Sequence, residues 1–99
     1  MKITKKQNGS ELVLELEGSL NTSTSPMLDG ALKDSLNGIK LLVIDFEKVD
    51  YVSSAGLRVL LMAHKTMLDQ GKLVLKHVNQ NVLDVFNMTG FDEFLNIEN

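Results

Sequence analysis

The stretch Leu41-Leu42-Val43-Ile44-Asp45-Phe46 decides the fold class. Its apolar residues run almost unbroken. A half-exposed strand alternates apolar and polar side chains, so a run of this kind predicts a central strand covered on both faces. Asp45 is the exception, placed near the carboxyl end where an exposed rim can hydrate it. Beyond a loop predicted over residues 47–52, the apolar period changes. Leu57, Leu60, Leu61, His64 and Leu68 recur at helical spacing and predict an inward stripe on a helix over about residues 55–70, ended by Gly71. Lys72–Lys76 follows as a short strand centred on Leu73-Val74-Leu75. A strand, a helix-length crossover and a second strand imply parallel pairing.

The flanks extend the same alternation. Residues 2–7 and 12–18 read as two strands joined at Asn8-Gly9, a strong hairpin signal. Leu12, Leu14 and Leu16 share one face of the second strand, and Val13, Glu15 and Glu17 share a partly solvated one. Asn21-Thr22-Ser23-Thr24-Ser25 is a polar loop leading into a helix, with Ser25 as N-cap and Pro26 at the first helical position. Leu28, Ala31, Leu32, Ser35 and Leu36 line one side of that helix, and Gly38 closes it in the left-handed conformation. Asn79 or Asn81 caps a third helix with Val82, Val85 and Phe86 inward and Gly90 as its stop. Residues 94–97 form a last strand. The predicted order is β-β-α-β-α-β-α-β: an α/β fold, one domain over residues 1–99, with a mixed sheet and helices packed against it.

Composition narrows the function classes. The 99 residues are 43% hydrophobic and 23% charged, the profile of a folded domain. With no cysteine there is no disulfide, thiolate catalysis or zinc–cysteine site. A net charge of −3 with scattered lysines argues against nucleic acid, which needs clustered cations. Five per cent aromatic content makes a base-stacking platform equally unsuitable. No apolar run is long enough for a bilayer or a signal peptide, so no membrane role and a cytoplasmic location are expected.

The serine pair in Tyr51-Val52-Ser53-Ser54-Ala55-Gly56-Leu57 is the candidate working site. It precedes the second helix, at the strand carboxyl ends where α/β sheets usually present ligand and partner surfaces. One reading is capping, worth about 1 kcal/mol. The other is regulated phosphorylation, since a helix N-terminus favours negative charge. The readings are compatible: one hydroxyl can cap in one state and carry phosphate in the other. Val59, Met62 and Met67 lie outside the inward stripe, giving the helix an apolar margin suited to a partner. Arg58, one turn beyond Ser54, is placed to pair with a phosphate or a partner carboxylate.

Taken together, these segments resemble the STAS domain of bacterial anti-sigma factor antagonists. The marks are Gly18-Ser19-Leu20-Asn21-Thr22-Ser23-Thr24, Leu42-Val43-Ile44-Asp45-Phe46, residues 51–60 around the serine pair, and Asn87-Met88-Thr89-Gly90-Phe91. The family's phosphoserine motif is typically Asp-Ser-Ser/Thr-Gly-Leu. The resemblance therefore places the phosphoserine on Ser54, with Ser53 as the alternative, and the glycine on Gly56. Ser53 stands where the family often has Asp, Ala55 where it often has Ser or Thr, and Asn21 where Asp is frequent. The resemblance implies a partner switch: unmodified protein binds an anti-sigma factor that is itself a serine kinase, phosphorylation dissociates the complex, and a PPM-type serine phosphatase resets it. Asn21, Thr22, Thr24, Ser53, Ser54, Gly56, Arg58, Val59 and Met62 form the implied contact surface.

Other chemistry finds little support. No P-loop, dinucleotide fingerprint or metal-ligand spacing occurs, so neither cofactor nor metal is expected. His64 reads as a core-edge residue and His77 as an exposed strand end. Asp45 and Asp50 read as rim charges, and no base is evident for a hydrolytic serine. The chain reads as a non-enzyme. The competing readings are a non-switching STAS subunit or ligand-sensing module of a transport or signalling complex, and a small-ligand or nucleotide binder.

Overall fold

A computed structural model describes residues 1–98. Strands β1 (Lys2–Asn8) and β2 (Glu11–Leu20) form the antiparallel hairpin. Strands β3 (Leu41–Val52), β4 (Lys72–Lys76) and β5 (Ile97–Glu98) join β2 in parallel, in the spatial order β1-β2-β3-β4-β5. Helices α1 (Ser25–Ser35), α2 (Ser54–Gln70) and α3 (Gln80–Thr89) supply the crossovers, and a 3₁₀ turn at Phe91–Glu93 precedes β5. The predicted fold class and element order hold. Among the described residues, no helix is long and apolar enough to cross a membrane.

One hydrophobic core joins all three helices to one face of the sheet. Leu12, Leu14, Leu16, Leu42, Ile44, Phe46, Leu73 and Leu75 meet Leu28, Leu32, Leu57, Leu60, Met67, Val82 and Phe86 there. Val43 and Val74 are also buried, yet they lie outside that cluster. Strand alternation points them to the opposite face, which carries no helix among the described residues. The expectation that the central run is covered on both faces is therefore corrected. A short valine in mid-sheet is shielded by cross-strand neighbours, so its apolarity does not require a second layer.

The predicted loop over residues 47–52 is the second half of β3. Glu17, Gly18, Ser19 and Leu20 of β2 pair with Lys48, Val49, Tyr51 and Val52. Register shifts between Glu15 and Glu17 and between Gly18 and Ser19 break the two-residue period. Val49 and Val52 both reach the core despite their odd separation. That irregularity disguises the strand in the sequence.

Smaller differences have local causes. Asn8 pairs with Glu11, so the hairpin turn is Gly9-Ser10, with Gly9 at φ 61°. Glycine first is the type II′ preference, whereas Asn8-Gly9 anticipates type I′. Thr24, not Ser25, is the N-cap of α1, and it makes no side-chain cap bond. Ser25 is buried and donates its hydroxyl to the Asn21 carbonyl. Leu36 is the C-cap of α1, and Gly38, at φ 81°, turns the chain just beyond it. On α2 the buried stripe is Gly56, Leu57, Leu60, Ala63 and Met67, while Leu61 and His64 are half-buried and Leu68 is 67% exposed. Tight seating of the helix at Gly56 sets this rotation. Gly71 has an extended φ of 174°, and a side chain there would overlap the Lys40 carbonyl. The last strand starts at Ile97, later than predicted, because the 3₁₀ turn takes up Phe91–Glu93 and turns Leu95 inward. Asn79 caps α3 by accepting from the Val82 amide at 3.0 Å, and Gly90 stops it at φ 78°.

Candidate functional site

Strands β2 and β3 end side by side, with Leu20 opposite Val52. Each feeds a helix on the same face of the sheet. Leaving β2, the chain makes a compact polar loop. The Asn21 carboxamide oxygen accepts from the amides of Ser23 at 2.9 Å and Thr24 at 3.0 Å. The Asn21 amide donates to Thr24 Oγ1 at 2.8 Å, and that hydroxyl donates to the Ser19 carbonyl at 2.6 Å. Asn21 and Thr24 thus use their polar atoms to hold the loop in shape. Thr22 and Ser23 stand exposed at its tip.

Leaving β3, the chain enters α2 with no intervening loop. The Ser53 amide donates to the Leu20 carbonyl at 2.8 Å, tying the two strand ends together. Ser53 has extended backbone angles and is the N-cap; its Oγ accepts from the Gly56 amide at 3.4 Å, and its carbonyl accepts from the Leu57 amide at 2.9 Å. Ser54 is the first helical residue and is exposed. The two serines are therefore chemically unlike: one caps, and the other presents its side chain to solvent.

Gly56 is buried for a steric reason. A Cβ there would lie 2.8 Å from Leu20 Cγ and 3.0 Å from the Leu20 carbonyl oxygen. Only glycine lets α2 descend this closely onto the end of β2. Arg58 is exposed one turn beyond Ser54, Val59 is half-buried, and Met62 is 55% exposed. Val59 and Met62 line a shallow groove between α1 and α2 together with Leu32 and Leu36. Tyr51, 52% exposed, and Met27 in the first turn of α1, 48% exposed, belong to the same end of the molecule. Neither was among the predicted contact residues; the available signal was a large apolar side chain beside a polar loop.

Among the described residues, the remaining acids and histidines do not converge on the serines. His64 is half-buried and packs against Phe94 with the rings tilted and their centroids 4.8 Å apart, in keeping with a core-edge residue. His77 contacts Asp45, at 3.0 Å. Asp50 accepts from the Ser19 hydroxyl at 2.7 Å. Among the described residues no base is hydrogen-bonded to Ser53 or Ser54. The arrangement can present a hydroxyl to another protein; activating it as a nucleophile would need a neighbouring base.

Comparison with known proteins gives a consistent result. The family model described as the STAS domain matches residues 2–99. A Bordetella bronchiseptica protein, BtrV, assigned as an anti-sigma factor antagonist, is 36% identical over 93 residues, covering 92% of this chain and 80% of that one. The crystal structure of an anti-sigma factor antagonist from Mycobacterium paratuberculosis superposes with a TM-score of 0.87 at 18% identity, covering 97% of this chain and 83% of that one. Bacillus SpoIIAA in its phosphorylated form superposes with a TM-score of 0.76 at 14% identity, covering 99% and 92%. At such identities the superpositions speak for the fold.

Proposed function

The chain belongs to the STAS domain family of anti-sigma factor antagonists, and from that premise we propose that it is a partner switch controlled by phosphorylation of Ser54. The observation that carries this reading is the division of labour within the serine pair. Ser53 Oγ is engaged as the cap, whereas Ser54 is exposed in the first turn of α2.

The unmodified surface would be the rim formed by Thr22, Ser54, Arg58 and Met62. Its partner is an anti-sigma factor that is also a serine kinase, and occupying that partner releases the sigma factor. The kinase transfers the γ-phosphoryl group of ATP to Ser54 Oγ; the hydroxyl proton is lost and ADP leaves. The phosphate adds about −1.5 to −2 charges at neutral pH. A helix N-terminus tolerates that charge, and Arg58 stands one turn away to balance it. The fold of this chain stays intact while the partner meets a doubly charged group where it had met a small hydroxyl. A PPM-type serine phosphatase hydrolyses the phosphoserine and restores binding. Both protein partners and the nucleotide place the cycle in the cytoplasm.

The test is incubation with the anti-sigma factor kinase and ATP, followed by peptide mass spectrometry. One phosphate at Ser54, lost in Ser54→Ala and retained in Ser53→Thr, supports the reading. Modification at Ser53, or none at either serine, contradicts it.

A further inference from the structure

On the helix-free face of the sheet, away from the serines, three potential metal donors converge. Asp45 and Glu47 lie on β3, and His77 follows β4 directly. Asp45 pairs with Lys76 across the two strands, which brings His77 beside it. His77 Nδ1 and Asp45 Oδ1 are 3.0 Å apart, and a donor atom from each of the three residues lies within 4.8 Å of the others. Strand alternation would send a residue after Lys76 to the helical face. His77 instead adopts φ 58°, and its ring meets Asp45.

We propose that Asp45, Glu47 and His77 bind a divalent first-row transition ion, with zinc as the best-fitting candidate. Donors about 2.1 Å from a zinc ion stand about 3.0–3.4 Å apart, from a right-angled to a tetrahedral arrangement. The Asp45–His77 pair already has that spacing. Glu47 is exposed, so its side chain is free to swing through the remaining gap. The neighbouring acids are otherwise engaged: Glu15 pairs with Lys6 and Glu17 with Lys48. Among the described residues no ion pair forms at the Glu47 carboxylate. One imidazole with two carboxylates selects zinc, copper, nickel or cobalt over magnesium and calcium, which prefer all-oxygen sites. Three protein ligands leave a coordination position for water or an external ligand. Metal binding would cross-link β3 to the segment that leads into the Asn79 cap of α3, and so stabilise the domain.

The experiment uses the whole untagged chain and zinc chloride alone. Calorimetric titration should give one zinc per chain. The thermal midpoint should rise by about 5–10 °C at tenfold excess over the dissociation constant. NMR should show the His77 ring resonances moving and those of His64 unchanged. His77→Asn suits the left-handed backbone and removes the imidazole, so it should fold and lose the zinc shift, as should Asp45→Asn; His64→Gln should retain it. Stoichiometric binding that survives His77→Asn, or an equal response to magnesium, would overturn the proposal. So would the absence of any zinc-dependent shift in the wild-type chain.

Discussion

Ser53 and Ser54 are adjacent, and a change at each should have opposite consequences. Removing the Ser53 hydroxyl leaves the Gly56 amide without its cap partner. Ser53→Ala should destabilise the domain by about 1 kcal/mol, lowering the thermal midpoint by about 4–8 °C. Ser54→Ala should stay within about 0.5 kcal/mol of wild type while removing the proposed phosphoacceptor, since its side chain is exposed. Thermal melts of the two variants, run side by side, check both. Gly56→Ala drives a methyl group against Leu20 and should cost about 1–3 kcal/mol. The serine pair was legible because serine before an apolar helix is a capping signal with few alternatives. Which serine caps was not legible: both precede the helix, and the choice depends on where Val52 leaves the sheet. Asn21 and Thr24 belong to the contact surface that the family resemblance implies, and their polar atoms also close the loop on itself.

At the scale of elements, regular periodicity reads well and broken periodicity does not. The hairpin leucines, the Leu73-Val74-Leu75 strand and the Asn79-to-Gly90 helix all follow a clean period, and all stand where expected. The second half of β3 carries two register shifts, and no single period exposes it. Helical spacing alone puts Leu68 inside the α2 stripe and Met67 outside; the reverse holds. Leucine and methionine are equally apolar, so composition gives no preference between adjacent faces. Seating at Gly56 supplies it. Met67→Ala should therefore cost about 2–5 kcal/mol, the usual range for a buried long side chain, whereas Leu68→Glu should change stability by less than about 0.5 kcal/mol. Chemical denaturation of both variants measures the contrast. A larger loss in Leu68→Glu than in Met67→Ala would place the stripe where the sequence alone suggests.

At the scale of the whole molecule, two faces of one sheet have different work. The helical face holds the core and delivers the ends of β2 and β3 to one rim, where Ser54 is displayed. Among the described residues the other face has no helix and carries paired charges. Its convergence of Asp45, Glu47 and His77 is invisible in sequence, because metal-ligand spacing is a local signal and His77 lies 32 residues beyond Asp45, after the next strand. The rim accounts for function only if a single phosphate there changes association without changing the fold. The direct measurement is calorimetric titration of the anti-sigma factor with unmodified chain and with chain phosphorylated at Ser54, each checked by circular dichroism. The account predicts superimposable spectra and affinity at least about tenfold weaker for the phosphorylated form, a loss of about 1.4 kcal/mol or more. Equal affinity of the two forms would contradict it.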